Sequence, residues 1–316
     1  MEGLKELPYC KFDPRVGKLR TLAYRYRDLK VMLPYAVDEV LDPLQPPSLK
    51  ETVRLKPFQE DALNSWLRAR RGIVVLPTGA GKTYVALKAV EILGEPTLVV
   101  VPTLPLLKQW RDLIESLYGV EVGVIGAGKE EIRPITVITY DSAYLRASEL
   151  GNKFTFLVFD EVHHLAAEGY IEIAEYSAAP YRMGLTATLE REDGRHVLLF
   201  PLVGGVVYQL SPRELAGEHL SEFETVRIRV DLLEEERRRY DVLMMEYRQA
   251  LREAGITIRS LDDFRKLVMR SGSSKAARRA LLAWNEARKI AINSKAKLKV
   301  LQDLLESHRD DKVIIF

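Results

Sequence analysis

The chain has 316 residues, 47% hydrophobic and 29% charged, which suits two or three folded units with a substantial core and excludes a disordered protein. Its longest apolar stretch, Pro96 to Pro102, is far short of the ~20 residues of a membrane span. The first ten residues carry no apolar signal region, and Cys10 is the one cysteine, so no intrachain disulfide or cysteine metal cluster can form; no membrane association and a reducing, cytoplasmic setting are expected.

Residues 1 to 48 are rich in aromatics and prolines and close on the linker-like Asp42-Pro43-Leu44-Gln45-Pro46-Pro47-Ser48. Within them, Tyr24-Arg25-Tyr26-Arg27 alternates with period two. That pattern predicts a strand with one aromatic and one basic face, either packed on a neighbour or stacking unpaired bases. From Gly72 onward short apolar runs alternate with helical spacing. Strands are expected at 72–76, 97–101, 135–139, 156–160 and 181–186, with helices at 84–93 and 104–117 between them. Buried strands separated by helices predict a doubly wound parallel α/β sheet, which binds ligands at the carboxyl ends of its strands.

Past residue 232 the texture becomes helical and charged. Helices are expected at 234–253 and 276–292, parted by Ser271-Gly272-Ser273-Ser274. The net charge of +2 is uneven. Between Arg265 and Lys299 there are eleven basic residues and one acid, a net of +10 that leaves the rest of the chain at −8. Such a block is either a solvated helix face or a contact for a polyanion. Tyr247, Phe264 and Trp284 sit at spacings that suit packing inside this helical part. The last residues, Val313-Ile314-Ile315-Phe316, read as a buried strand.

Two motifs carry chemistry. Thr78-Gly79-Ala80-Gly81-Lys82-Thr83 lies between an apolar strand and a helix, where glycines let backbone N–H groups close around phosphate oxygens. Lys82 is placed to reach the β- and γ-phosphates and the Thr83 hydroxyl to hold Mg²⁺. Leu76 stands where the strict pattern has a glycine. About eighty residues on, Asp160-Glu161-Val162-His163 follows the strand run Phe156 to Phe159. Beside a P-loop, Asp160 suits a Mg²⁺-bound water and Glu161 suits orienting and deprotonating the attacking water.

The P-loop, the Asp-Glu-Val-His run and Thr186-Ala187-Thr188 together resemble superfamily 2 nucleic-acid helicases and translocases. Leu185 to Arg195, with Arg191-Glu192-Asp193, is similar to the XPB (xeroderma pigmentosum group B) family. So are Phe159 to His164, Val101-Pro102-Thr103 ahead of Gln109-Trp110, Lys11-Phe12-Asp13 and Ala23 to Asp28. The resemblance implies a RecA-like P-loop NTPase sheet with a small N-terminal domain and a helical thumb insert. It places a damage-recognition-like domain and linker at 1–48 and an ATP-binding helicase domain at 49–222. A basic thumb follows at 223–295, then the first elements of a second RecA-like domain at 296–316, so the chain is expected to lack most of a second motor lobe and to turn over slowly.

The resemblance further implies that Gln59 reads adenine, although Lys56 and Phe58 depart from the usual pattern around it. His163 would link the γ-phosphate site to DNA-facing motifs, and Thr186 and Thr188 would couple hydrolysis to strand movement. Arg191, Glu192 and Asp193 would help open the duplex. His164 is expected to be structural. Thumb residues such as Arg278, Arg279, Arg288 and Lys289 would meet the phosphate backbone near a single-strand/duplex junction. ATP and Mg²⁺ are the implied cofactors, DNA the implied partner, and a repair nuclease a further one. The expected activity is ATP-dependent DNA opening in repair. The alternatives are a nucleotide-responsive DNA-binding or docking module without useful turnover, and a related helicase acting on RNA.

Overall fold

The computed structural model describes residues 7–190, 194–215, 226–258 and 261–315. They form two compact units, Met1–Phe223 and Glu224–Phe316.

The first unit opens with a hairpin of β1 (Lys11–Asp13) and β2 (Lys18–Arg20), paired antiparallel through Phe12 and Leu19. Asp13 closes it by accepting from Arg15 and Arg20 at 2.9 and 2.8 Å. The strand expected around Tyr24 to Arg27 is instead a helical turn at Ala23–Arg25 followed by α1 (Tyr26–Met32). Helical spacing wins because it satisfies side chains three and four apart. Arg25 pairs with Asp28 at 3.1 Å, and Lys30 reaches the Tyr26 hydroxyl at 3.0 Å while Asp38 takes both. Tyr26 is buried, so its ring is no stacking platform.

The remainder of this unit runs α2 (Pro57–Ala69), β3 (Arg71–Val75), α3 (Lys82–Leu93), β4 (Thr97–Val101), α4 (Leu104–Tyr118), β5 (Gly123–Gly126), β6 (Lys129–Glu131) and β7 (Ile135–Thr139). It continues with α5 (Tyr140–Leu145), α6 (Ala147–Leu150), β8 (Phe156–Asp160), α7 (Ile171–Glu175), β9 (Tyr181–Thr186), α8 (Leu199–Val203), β10 (Val206–Gln209) and α9 (Pro212–Leu215). The eight-stranded sheet has the order β10-β3-β9-β8-β4-β7-β5-β6. Every pairing in it is parallel except β5 with β6. The five expected strands are present within a residue of their predicted ends. The short β5, β6 and β10 have too few residues to show a period in the sequence.

Alternate residues of each strand face opposite sides, so the sheet buries two apolar layers. Val74, Val99, Val137, Val158 and Leu185 join Trp66, Val85 and Trp110 on one face. Ile73, Val100, Ile138, Leu157 and Phe159 join Tyr140, Leu165 and Leu202 on the other.

Strand β9 is held by a buried cation. Arg182 is fully buried, and its guanidinium donates to four main-chain carbonyls: Ala179 at 3.1 Å, Ala174 at 3.0 Å, Leu202 at 2.7 Å and Ser177 at 2.6 Å. Burial without a carboxylate depresses its proton affinity well below the arginine range. The planar fork nevertheless satisfies groups from the ends of α7 and α8 at once, which no other side chain does. The Arg182 carbonyl also accepts the Trp66 indole at 2.9 Å, tying β9 to α2.

The second unit contains α10 (Glu234–Glu253), α11 (Leu261–Arg270), α12 (Lys275–Ile292) and α13 (Lys295–Ser307). Its core is small-residue packing, with Ala250, Ala277, Ala280 and Ala283 around Tyr247 and Leu267. Phe264 and Trp284 lie 4.7 Å apart against it, as their spacing predicts. Glu236 joins two helix N-termini, accepting from Leu233 in its own first turn and from Ser294 and the Lys295 amide at the start of α13. Val313, Ile314 and Ile315 are not the buried strand read from the sequence. They are exposed and unpaired among the described residues, because no described strand of this unit lies beside them to take their hydrogen bonds.

Replacing Arg182 by Met strands four buried carbonyls and is expected to cost about 3 kcal/mol or more in denaturant-unfolding experiments, with Arg182→Lys recovering less than half. An unchanged unfolding midpoint would refute the anchoring role.

Candidate nucleotide site

Strand β3 ends at Val75, and the chain turns through Leu76 and Pro77 into the glycine loop before α3. Gly79 and Gly81 have φ of 81° and 76°, the left-handed region that side chains with a Cβ avoid. Gly81 is also sterically required, because a Cβ there would stand 2.5 Å from the Gln59 amide nitrogen. Thr78 and Gly79 are exposed, Ala80 is buried, and Gly81, Lys82 and Thr83 are half-buried at the helix start. The Lys82 ammonium donates to the carbonyls of Leu76 and Pro77 at 3.2 and 3.4 Å. Burial lowers its pKa, while the nearby charges of Glu161 and Asp160 act against that.

Gln59 lies in the first turn of α2 and is buried. Its amide oxygen accepts from the Lys56 N–H at 2.9 Å, and its amide nitrogen donates to the Ala80 carbonyl at 2.7 Å. The glutamine thus braces the P-loop directly and keeps one N–H and one lone pair to spare.

The acidic pair follows β8. Asp160 is 7% exposed; one carboxylate oxygen accepts from the Trp110 indole at 2.7 Å and the other from the Glu161 amide at 3.1 Å. Burial raises its pKa above the usual carboxylate range, with the Trp110 bond opposing and the Glu161 charge adding. Tyr140, fully buried on the same side, donates its hydroxyl to the Asp160 carbonyl at 3.1 Å. Glu161 takes a left-handed backbone, φ 47° and ψ 58°, which costs a non-glycine residue roughly 1–2 kcal/mol. That twist aims Glu161 away from the strand and starts the tight helical turn Val162–Ala166. Gly184 in β9 lies under Val162, where a Cβ would meet the valine side chain at 2.9 Å.

Thr186, at the end of β9, connects the motifs. Its hydroxyl lies 2.7 Å from the Thr188 carbonyl, 3.2 Å from a Glu161 carboxylate oxygen and 3.1 Å from His163 Nδ1, and it accepts from the Thr188 amide at 3.1 Å. His163 Nδ1 also lies 3.5 Å from Glu161. His164 packs on His163 at 4.5 Å and on Tyr140 at 5.9 Å, a structural place in agreement with its sequence reading.

The structure therefore brings Gln59, the P-loop, Asp160, Glu161, His163, Thr186 and Thr188 to one edge of the sheet. Arg191, Glu192 and Asp193 lie outside the described residues. Arg278, Arg279, Arg288 and Lys289 belong to the second unit, all exposed on α12. Arg279 is paired with Glu253 at 2.5 Å and Lys289 with Glu286 at 2.7 Å; Arg278 donates to the Ser271 carbonyl, and Arg288 lies over the Trp284 ring. Two residues that touch Asp160, Trp110 and Tyr140, had no assigned role. Each reads as one more apolar helix position, and nothing local marks a bond to a carboxylate fifty residues away.

The donor set suits magnesium. The Thr83 hydroxyl and Asp160 carboxylate are hard oxygen ligands, and no cluster of three or more His, Cys, Asp or Glu able to cage a metal occurs among the described residues. A cation held by one or two protein oxygens plus phosphates fits that pattern. A cavity of about 420 Å³ lined by Leu22, Tyr26, Leu29, Leu33 and Val37 includes none of these groups, and Tyr26, Lys30 and Asp38 in its wall bond one another.

Comparison with known proteins follows the same lines. Residues 52–191 match the family model "Type III restriction enzyme, res subunit", and residues 1–37 match "Xeroderma pigmentosum group B helicase damage recognition domain". The chain is 45% identical over 313 residues to the DNA 3'-5' translocase XPB2 of Sulfurisphaera tokodaii, covering 98% of this chain and 71% of that protein. It is 34% identical over 203 residues to the DNA 3'-5' helicase XPB of Mycobacterium tuberculosis, covering 60% of this chain and 37% of that one. Among solved structures, the Sulfolobus solfataricus SWI2/SNF2 ATPase core in complex with dsDNA aligns over 85% of this chain and 67% of its own, with 14% identity and a TM-score of 0.47. The 45% identity over 98% of this chain to the Sulfurisphaera protein, of which it spans more than two thirds, shows that the chain belongs to the XPB helicase family.

Proposed function

We propose that the chain binds Mg²⁺–ATP at the P-loop edge as the nucleotide-binding part of an ATP-driven DNA motor and by itself turns over slowly; the names of its relatives state 3'-5' translocase or helicase action on DNA for them. The observation that carries this reading is the convergence of Lys82, Asp160, Glu161 and Thr186 at the carboxyl ends of adjacent parallel strands. Lys82 leaves its two carbonyl partners for phosphate oxygens, a stronger charge-assisted contact. Thr83 and Asp160 would hold the cation, which when bound would neutralise charge on the phosphates. Glu161 orients the attacking water and accepts its proton.

The Thr186 hydroxyl has one proton and faces the Thr188 carbonyl, the Glu161 carboxylate and His163. A change of protonation or position at Glu161 therefore changes which partner that proton serves. This is a physical route from hydrolysis to the segment after Thr188. Gln59 offers the adenine edge its remaining N–H and lone pair. Opening of damaged duplex is the biological setting that the match at residues 1–37 supports; a repair nuclease as protein partner rests on the family resemblance alone.

DNA contact is assigned to the exposed face of α12. Lys275, Arg278 and Lys289 fall on one side of the helix, and Lys275, Arg278 and Arg288 have no carboxylate partner among the described residues. Such contacts go to phosphates and carry no sequence preference.

Two experiments test these assignments. Lys82→Ala should weaken ATP binding at least tenfold, whereas Glu161→Gln should keep binding within about threefold and lower any turnover by ~10²-fold or more. Turnover that survives Glu161→Gln refutes the base assignment, and undetectable turnover in the parent chain favours the binding-module reading. Reversing Lys275, Arg278 and Arg288 to Glu should weaken duplex binding and flatten the plot of log affinity against log salt by about one per lost phosphate contact. An unchanged slope places the DNA contact elsewhere.

A further inference from the structure

Trp110 is 1% exposed in the middle of α4, packed in the apolar layer with Leu107 and Ile114. A tryptophan in that position needs only apolar neighbours, yet its single polar atom is spent on Asp160 Oδ2 at 2.7 Å, with both residues buried. The indole N–H is a donor with no acceptor capacity, so the bond has one polarity and cannot be reversed. Its ring is held by the core, so the N–H is fixed in space. The other Asp160 oxygen is held by the Glu161 amide and its carbonyl by Tyr140. Two donors, from α4 and the main chain, thereby set the orientation of one carboxylate before any ligand arrives, and a third from α5 holds the same residue's carbonyl.

We propose that Trp110 is a positioning residue for Mg²⁺–nucleotide binding: its N–H fixes the Asp160 carboxylate in the orientation that receives the cation's shell. The proposal rests on the reading of Asp160 as the magnesium-side carboxylate. A hydrogen bond to a charged group contributes enough to shift an equilibrium about tenfold or more.

The test uses the full chain and a fluorescent ADP analogue, with binding followed by polarisation while MgCl₂ is titrated. Trp110→Phe keeps the apolar ring and deletes the donor. The Mg²⁺ concentration at half-maximal binding should rise about tenfold, while affinity for the analogue in EDTA stays within twofold. A purely structural role would change both together. An unchanged Mg²⁺ midpoint in Trp110→Phe beside a raised one in Asp160→Asn overturns the proposal and spares the reading of Asp160. An unchanged midpoint in Asp160→Asn overturns that reading, and the proposal with it.

If Trp110→Phe does not fold, the chain's three tryptophans can be labelled as 5-fluorotryptophan. The Trp110 signal is the one that Trp66→Phe and Trp284→Phe leave in place. A shift of it on adding MgCl₂ to the ADP-bound chain, absent with ADP in EDTA, supports the proposal, and no shift overturns it.

Discussion

The arrangement depends on the parallel register of β9 with its two neighbours. Val75 at the end of β3 lies opposite Thr186, and Asp160 at the end of β8 lies opposite Leu185. The Leu76 N–H continues the ladder to the Thr186 carbonyl at 3.0 Å. Three parts of the sequence, which together span more than a hundred positions, are thus brought to one edge by main-chain hydrogen bonds. A slip of one residue would turn every side chain of β9 to the opposite face. Arg182 and Trp66 guard against it, because both secure the start of the strand whose end carries Thr186.

With the register set, the sheet holds two opposite charges where water is scarce. Burial lowers the proton affinity of Lys82 and raises that of Asp160, so each charged form is the less comfortable one for its own environment. On the proposed reading, a phosphate chain with its cation would offset both costs at once, bringing negative charge to Lys82 and positive charge to Asp160. The left-handed backbone at Glu161 is a further cost within the same few residues, held by the His164 N–H on its carbonyl at 2.9 Å and by the Thr186 hydroxyl on its carboxylate. A protein stores strain in this way only where surrounding bonds over-determine the geometry.

What could be read from sequence follows from the range of the forces involved. The buried strands were legible because short, mostly apolar runs are a local signal, and the P-loop was legible because glycines, Lys82 and Thr83 sit together. The turn at Tyr24 to Arg27 was misread because alternation over four residues fits a strand and a helix equally, and the decision falls to Asp28, Lys30 and Asp38. Val313 to Ile315 shows the converse: β propensity describes a preference that only a partner strand can realise. Trp110 was legible only as part of a run similar to the XPB family, and Tyr140 not at all, because a hydrogen bond across the core leaves no mark on either neighbourhood in the sequence.

The basic block in the second unit illustrates how a count of charges overstates a surface. Of the ten basic residues from Lys266 to Lys299 whose side chains are described, Lys266, Arg279 and Lys289 are already paired with carboxylates. Exposed pairs of this kind are weak, and a phosphate can compete for either cation. Arg279 is different, since Glu246 and Glu253 both belong to α10 and the pairing joins two helices. Its charge therefore works for the fold, while Lys275 and Arg278 project from the same helix with no such duty. Lys275, Arg278 and Lys289 thus form an exposed basic stripe on one side of α12, while Arg270, Lys295, Lys297 and Lys299 of the same block lie on the neighbouring helices α11 and α13.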